Sequence, residues 1–233
     1  MIPVVTIRPE PGNAATCAAG AALGLAMIGC PLSELRPLPW QVPDPDEFDA
    51  LLLGSANALP MAAELPLETT WLPMVTTKPA LCVGEATAAA ARALGTPVLG
   101  VGRGGLQQLL DGTDPLPPRL LRLGGADHVP VTAPPGVSIL FRAVYHLAPL
   151  PLPDRLRAPF VLLLHSAAAA GHFRTQWTGP RDAIRIAALG PRIAAAAGPG
   201  WAELRCPAQP TDAALLALAA KMCHDAAQWG EER

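Results

Sequence analysis

Few side chains in this chain of 233 residues are suited to chemistry, and their spacing removes several mechanisms at once. The five histidines, His128, His146, His165, His172 and His224, form no HExxH or i, i+4 pair that would hold zinc on one helix face. The five cysteines, Cys17, Cys30, Cys82, Cys206 and Cys223, are scattered, odd in number and without a CxxC pair. They read as small buried hydrophobes in a reducing compartment, and no metal site is expected. Neither Ser55 nor Ser166 sits in a GxSxG elbow, and there is no Walker loop. Glu85 and Asp127 form a carboxylate pair only if the fold brings them together. Gly100-Val101-Gly102-Arg103-Gly104-Gly105 satisfies GxGxxG but falls late in its half, with no strand-end acid about twenty residues on. It reads as loop glycine.

What remains is a set of polar turns, each directly after an apolar run: Thr6-Ile7-Arg8-Pro9, Gly54-Ser55-Ala56-Asn57, Gly84-Glu85-Ala86-Thr87, Leu123-Gly124-Gly125, His165-Ser166 and Gly190-Pro191-Arg192. They offer hydroxyls, amides, arginines and the free N–H groups of helix starts, which suit an anionic ligand. One helix start contributes about 0.3–1 kcal/mol to a bound anion, so several must converge to give real affinity. Any single turn also serves as a plain helix cap.

The elements behind these turns alternate. Residues 81–95 read LCVGEATAAAARALG and residues 187–198 read AALGPRIAAAAG, and each is an apolar run, a glycine and an alanine-rich helix. The sequence predicts strands over 2–7, 31–38, 48–53, 97–101, 120–123, 138–146, 160–164 and 203–206. Helices are expected from an Asn13 cap to about residue 28, over 106–110, somewhere between 124 and 137, and over 211–223 with Thr211 as cap. The runs 48–55 and 160–166 match, as do Gly84 and Gly190, so the chain reads as two similar α/β domains rather than a short-period solenoid. Twenty-eight prolines fall mostly between the runs as punctuation. With 15% charged residues and a net charge of −2, nothing points to nucleic acid. The apolar stretch 14–30 follows a strand with no basic region before it, and reads as a first helix rather than an export or membrane segment.

Seven stretches, in order and at the right spacing, resemble uroporphyrinogen-III synthase: VTIRPEPG (5–12), PLSELRPLP (31–39), FDALLLGSANAL (48–59), CVGEATAAAARALG (82–95), AVYHLAPLP (143–151), DAIRIAALGPRIAAAA (182–197) and QPTDAALLAL (209–218). The resemblance implies two parallel-sheet α/β/α lobes, the first discontinuous: 1–35 with 152–233, then 40–144, joined by antiparallel hinge strands at 35–39 and 145–149. It implies a cofactor-free hydro-lyase acting on hydroxymethylbilane, with hydroxymethylbilane synthase as a partner able to hand that substrate on. It further implies a cytoplasmic monomer with no nucleic-acid or membrane partner. The sole tyrosine, Tyr145, becomes the expected catalytic proton donor to the departing hydroxyl. The expected substrate-binding set, held in a cleft, is Arg8, Ser55, Asn57, Gly84, Glu85, Thr87, Gly124, Gly125, His128, Ser166, Arg185, Gly190 and Arg192. Thr87 is equally a local cap, and Arg185 equally a strand-end charge.

The chain departs from the family pattern in places. Leu123 stands where an arginine commonly precedes the glycine, with His128 the nearest basic substitute beyond it. Alanines follow Ser166, and Arg192-Ile193 replace hydroxyls after Gly190-Pro191. The alternatives are a diverged, non-catalytic two-lobed protein binding a tetrapyrrole or small anion, an exported receptor of periplasmic type, and a dinucleotide enzyme using the Gly100 motif.

Overall fold

Apolar runs closed by glycine or proline become strands, and the alanine-rich stretches behind them become helices. The computed structural model describes residues 2–64, 77–154 and 156–230, with side chains as far as residue 225. In chain order the strands are β1 (Val4–Thr6), β2 (Met27–Gly29), β3 (Ser33–Pro37), β4 (Ala50–Leu53), β5 (Ala80–Cys82), β6 (Val98–Val101), β7 (Arg119–Gly125), β8 (Ser138–Pro149), β9 (Phe160–Leu164), β10 (Ile184–Ala188) and β11 (Glu203–Arg205). The described helices are α1 (Gly12–Ala22), α2 (Ala58–Glu64), α3 (Glu85–Ala93), α4 (Leu106–Asp111), α5 (Ala167–Gln176), α6 (Pro191–Ala197) and α7 (Asp212–Gly230).

The chain divides into two units, one of Met1–Glu34 with Ala148–Arg233 and one of Leu35–Leu147. The sheet of the first unit has the order β11-β10-β9-β1-β2, parallel throughout. The second sheet has the order β3-β8-β7-β4-β5-β6, parallel from β8 to β6. Its edge strand β3 runs against β8, with Leu38 N–H donating to the Val144 carbonyl and Leu150 N–H to that of Leu32. Leaving β3 aside, both sheets share one order: β2-β1-β9-β10-β11 corresponds to β8-β7-β4-β5-β6. In each, successive strands are added in opposite directions on either side of one pair, β1/β9 in the first and β7/β4 in the second. Loops leaving such a pair diverge and open a crevice at the strand C-termini, where α/β sheets bind ligands.

Both sheets are covered on both faces, which is why their strands are apolar almost without interruption. In the first unit Phe160, Leu162, Ile184 and Ile186 pack with Phe173 and Trp177 on one side. Val161, Leu163 and Ala187 pack with Leu215, Ala219 and Met222 of α7 on the other. In the second unit Leu51, Leu53, Leu121 and Leu123 meet Leu59 of α2 and Ala88 of α3, while Leu52, Leu81 and Leu120 meet Leu109 and Leu110 of α4.

Three local expectations change. The first helix stops at Ala22 instead of continuing to about residue 28, because Gly24 takes φ +76°. The following N–H groups then turn back, with Gly24 bonding the Ala21 carbonyl and Leu25 that of Gly20. Ala26 is thereby freed to lead into β2. Asn13 does not cap this helix: it is buried and its side-chain amide donates to the Thr6 and Arg8 carbonyls, while Glu10 accepts from Ala14 N–H. No helix forms over 126–137, where Pro130, Pro134 and Pro135 remove donors and disfavour α geometry in the residues before them.

No helix among the described residues is long and apolar enough to cross a membrane. None of the five cysteines is joined in a disulfide, and burial pushes the Cys82 thiol up to about 11.

Candidate functional site

In the second unit, the strand ends around β7/β4 surround a cavity of about 430 Å³ lined by Ser55, Arg122, Gly124, Gly125, Asp127, His128 and Tyr145, among others. Five of the expected site residues therefore meet here. Ser55, just past β4, uses its hydroxyl to accept from Asn57 N–H at 3.2 Å, closing the turn into α2. Gly124 and Gly125 end β7, where the ladder with β8 shifts register, so that Gly125 comes opposite Tyr145. A Cβ on Gly125 would lie 2.9 Å from Tyr145 Cε2, so the absent side chain is what lets the tyrosine ring settle there. The Tyr145 hydroxyl makes no hydrogen bond among the described residues. His128 is exposed, with its ring 3.9 Å from that of Phe141 and Nδ1 3.2 Å from the Ala126 carbonyl oxygen.

The neighbouring turn after β5 carries Gly84, Glu85 and Thr87. Gly84 precedes α3 with φ −171°, an extended backbone open to any residue, and a Cβ there would meet nothing within 4 Å. Neither strain nor packing calls for this glycine. Glu85 is exposed and paired with Arg92 at 2.6 Å, and it does not line the cavity that holds Asp127. Thr87, the third residue of α3 and so in its first turn, is buried at 4% exposure.

In the first unit, the strand ends around β1/β9 gather a polar cluster. Asp212, the first residue of α7, accepts from Thr16 Oγ1 at 2.9 Å and lies 2.7 Å from His165 Nε2. Arg8 bonds Thr16 Oγ1 at 3.2 Å and approaches Asp212 at 3.5 Å. The His165 hydrogen bond, with lesser help from Thr16, His165 charge and Arg8, holds the Asp212 carboxyl below the usual range despite the opposing effect of desolvation. His165 Nδ1 is buried without a partner among the described residues.

Ser166 caps α5 by accepting from Ala169 N–H at 3.1 Å. Gly190 stands before α6 with φ −169°, and Arg192 is exposed in its first turn. Arg185 is not brought to these strand ends. It lies early in β10, 3.4 Å from Glu203 on β11, and the structure gives it a cross-strand partner there.

Arg122 and Asp127 in the second unit, and Thr16, His165 and Asp212 in the first, stand outside the expected site set. Arg122 offers a signal in retrospect, as a charge inside the apolar run Leu120-Leu121-Arg122-Leu123. The pairing of His165 with Asp212 offers none, since it exists only through the fold. Among the described residues no three His, Cys, Asp or Glu side chains are grouped to hold a metal ion.

Two doubly wound units, each with polar groups at its strand reversal, define a class of α/β proteins that bind ligands at sheet edges. Residues 15–217 match the uroporphyrinogen-III synthase HemD family, and the chain belongs to it. Among solved structures it is similar to the uroporphyrinogen-III synthetase of Helicobacter pylori 26695, at 18% identity over 95% of this chain and 100% of that one, with TM-score 0.67. A mutant uroporphyrinogen III synthase of the extremely thermophilic bacterium Thermus thermophilus aligns at 16% identity over 97% of this chain and 99% of that one, with TM-score 0.50. At such identities the likeness is one of fold. No curated protein matches the chain.

Proposed function

We propose that this chain closes hydroxymethylbilane, a linear tetrapyrrole with eight carboxylates, to uroporphyrinogen III with loss of water and inversion of ring D. The family match over residues 15–217 carries this reading. The step balances without an oxidant or reductant: the terminal C–O bond breaks, a C–C bond to ring D forms, and water leaves. Loss of the hydroxyl gives an azafulvene-like cation. Attack from the substituted carbon of ring D gives a spiro-pyrrolenine, and its fragmentation and reclosure invert the ring.

The protein has three tasks in this chemistry. It protonates the leaving hydroxyl, folds a flexible substrate, and keeps direct closure from winning. Tyr145 is assigned the proton, because a phenol is an O–H donor, its ring is seated against Gly125 at the cavity, and its hydroxyl is not engaged by described protein groups. Ser55, Asn57, Gly84, Gly124, Gly125 and His128 in one unit are assigned to substrate binding, with Arg8, Ser166, Gly190 and Arg192 in the other. Supply of the substrate directly from hydroxymethylbilane synthase belongs to the same proposal.

The test supplies hydroxymethylbilane and measures the ratio of type III to type I uroporphyrinogen. A predominance of type III supports the reading, and a mixture equal to that of spontaneous closure overturns it. Tyr145→Phe is expected to lower kcat by about tenfold or more with an unchanged melting temperature, as removal of a general acid does. Wild-type turnover in the folded variant would take Tyr145 out of the reaction.

A further inference from the structure

Arg122 interrupts the apolar run of β7 on the face opposite Leu121 and Leu123. It is buried at 6% exposure, and desolvation pushes its guanidinium down from the ordinary arginine value. Burying a cation is costly unless a partner offsets it, so buried arginines are ordinarily paired. Arg122 forms no ion pair among the described residues. Of its five N–H donors, one is used, from Nη2 to the Val129 carbonyl oxygen at 2.8 Å. The guanidinium carbon lies 5.5 Å from the centroid of the Phe141 ring, which steadies the plane of the group but accepts no N–H bond in place of a carboxylate. The residue lines the cavity that also holds Ser55, Gly124 and Tyr145.

We infer that Arg122 is the fixed anchor for one carboxylate arm of the substrate, received in the second unit's cavity. The inference rests on the proposed substrate and names a binding residue for it. The cation is pre-organised: its stem is held in the sheet, one edge is tied to Val129, and its face is set by Phe141. An arriving carboxylate meets the remaining N–H donors without having to order the side chain, which is where a surface arginine loses much of its binding energy. At about 430 Å³ the cavity is near the lower end of the range of small-molecule sites, so it takes a ring with its arms rather than a whole tetrapyrrole. Three other titratable groups line the cavity, one of them Tyr145. Asp127 lines the same cavity and repels an anion, and His128 packs on Phe141 beside the guanidinium. The arrangement favours a carboxylate that enters deep enough to reach Arg122 and stay clear of Asp127.

The experiment measures binding without turnover, so its result is separate from the product assay. Uroporphyrinogen I, with eight carboxylates, and coproporphyrinogen I, in which methyl groups replace the acetates, are titrated anaerobically into wild type, Arg122→Gln, Arg122→Lys and Asp127→Asn. Arg122→Gln is expected to weaken uroporphyrinogen I binding by about tenfold or more, the scale of one lost charge-assisted hydrogen-bond pair. Arg122→Lys is expected to fall between, because it keeps the charge but loses the planar fork, and it stands in if the glutamine variant does not fold. Asp127→Asn is expected to tighten binding. An equal loss for coproporphyrinogen I assigns a propionate arm to Arg122, and no loss there assigns an acetate. Wild-type affinity for uroporphyrinogen I in the folded Gln or Lys variant overturns the inference and leaves the synthase reading to the product assay.

Discussion

Gly125 leaves the space in which the Tyr145 ring sits, and the role proposed for that ring is testable one atom at a time. A methyl group on Gly125 would stand 2.9 Å from the tyrosine ring, closer than real contacts allow, and an aromatic ring has no flexible end to yield. Gly125→Ala is therefore expected to cost about 1–3 kcal/mol as overpacking and to lower kcat by moving the phenol. Chemical denaturation and steady-state kinetics check both, and unchanged kcat would mean that ring position does not govern the step. The Asp212 cluster yields a second expectation at this scale. Its carboxyl is held below the usual value by the His165 and Thr16 hydrogen bonds. A depressed folded-state value adds stability above the unfolded value of about 4, and that contribution is lost as pH falls through the folded value. The melting-temperature gap between wild type and Asp212→Asn should thus be widest above about pH 5 and close below pH 4. A constant gap would show that the cluster contributes through packing alone. Ser55, Gly124 and Gly125 were legible as candidates because they follow apolar runs, whereas Tyr145 and His128 stood out only through the family resemblance. Arg122 shows in the sequence only as a charge inside an apolar run, and nothing there tells of the cavity beside it.

At the scale of elements, the strand–glycine–helix units were the most readable part of the chain. Residues 81–95 and 187–198 each fold as strand, extended glycine and helix. An apolar run and an alanine-rich run differ enough in propensity to announce themselves. The sequence overextends the first helix because alanine and leucine carry helical signal straight through Gly24, whose φ of +76° is a property of the turn rather than of composition. The absent helix over 126–137 shows the reverse case, in which proline spacing outweighs the expectation that parallel strands are linked by helices. Gly84 separates structure from function within one such unit. A Cβ there meets open space and the backbone is extended, so Gly84→Ala should leave the melting temperature within about 1 °C, as for a surface change away from any packing. The proposed site brings substrate against this backbone, so the same variant should raise KM for hydroxymethylbilane several-fold. An unchanged KM would remove the Gly84 turn from the binding set.

Across the whole molecule, one strand order is reached by two chain routes. The second unit runs continuously from Leu35 to Leu147, and its two hydrophobic clusters draw only on residues in that span. The first unit is assembled from two segments. β1 and β2 come from the first, β9, β10 and β11 from the second, and β1 pairs with β9. Parallel pairing between remote segments is costly in loop closure, whereas a contiguous unit bears no such dependence on distant chain. A fragment of residues 35–147 is therefore expected to fold alone, with a single cooperative urea transition. A fragment of 148–233 should not, because β9 would lose β1 as its neighbour and Val161 and Leu163 would lose the cover of Val4 and Leu25. Adding a peptide of residues 1–34 should restore structure, followed by circular dichroism as a saturable, concentration-dependent gain. Folding of 148–233 without that peptide, or failure of 35–147 to show a cooperative transition, would mean that sheet order does not mark the folding units of this chain.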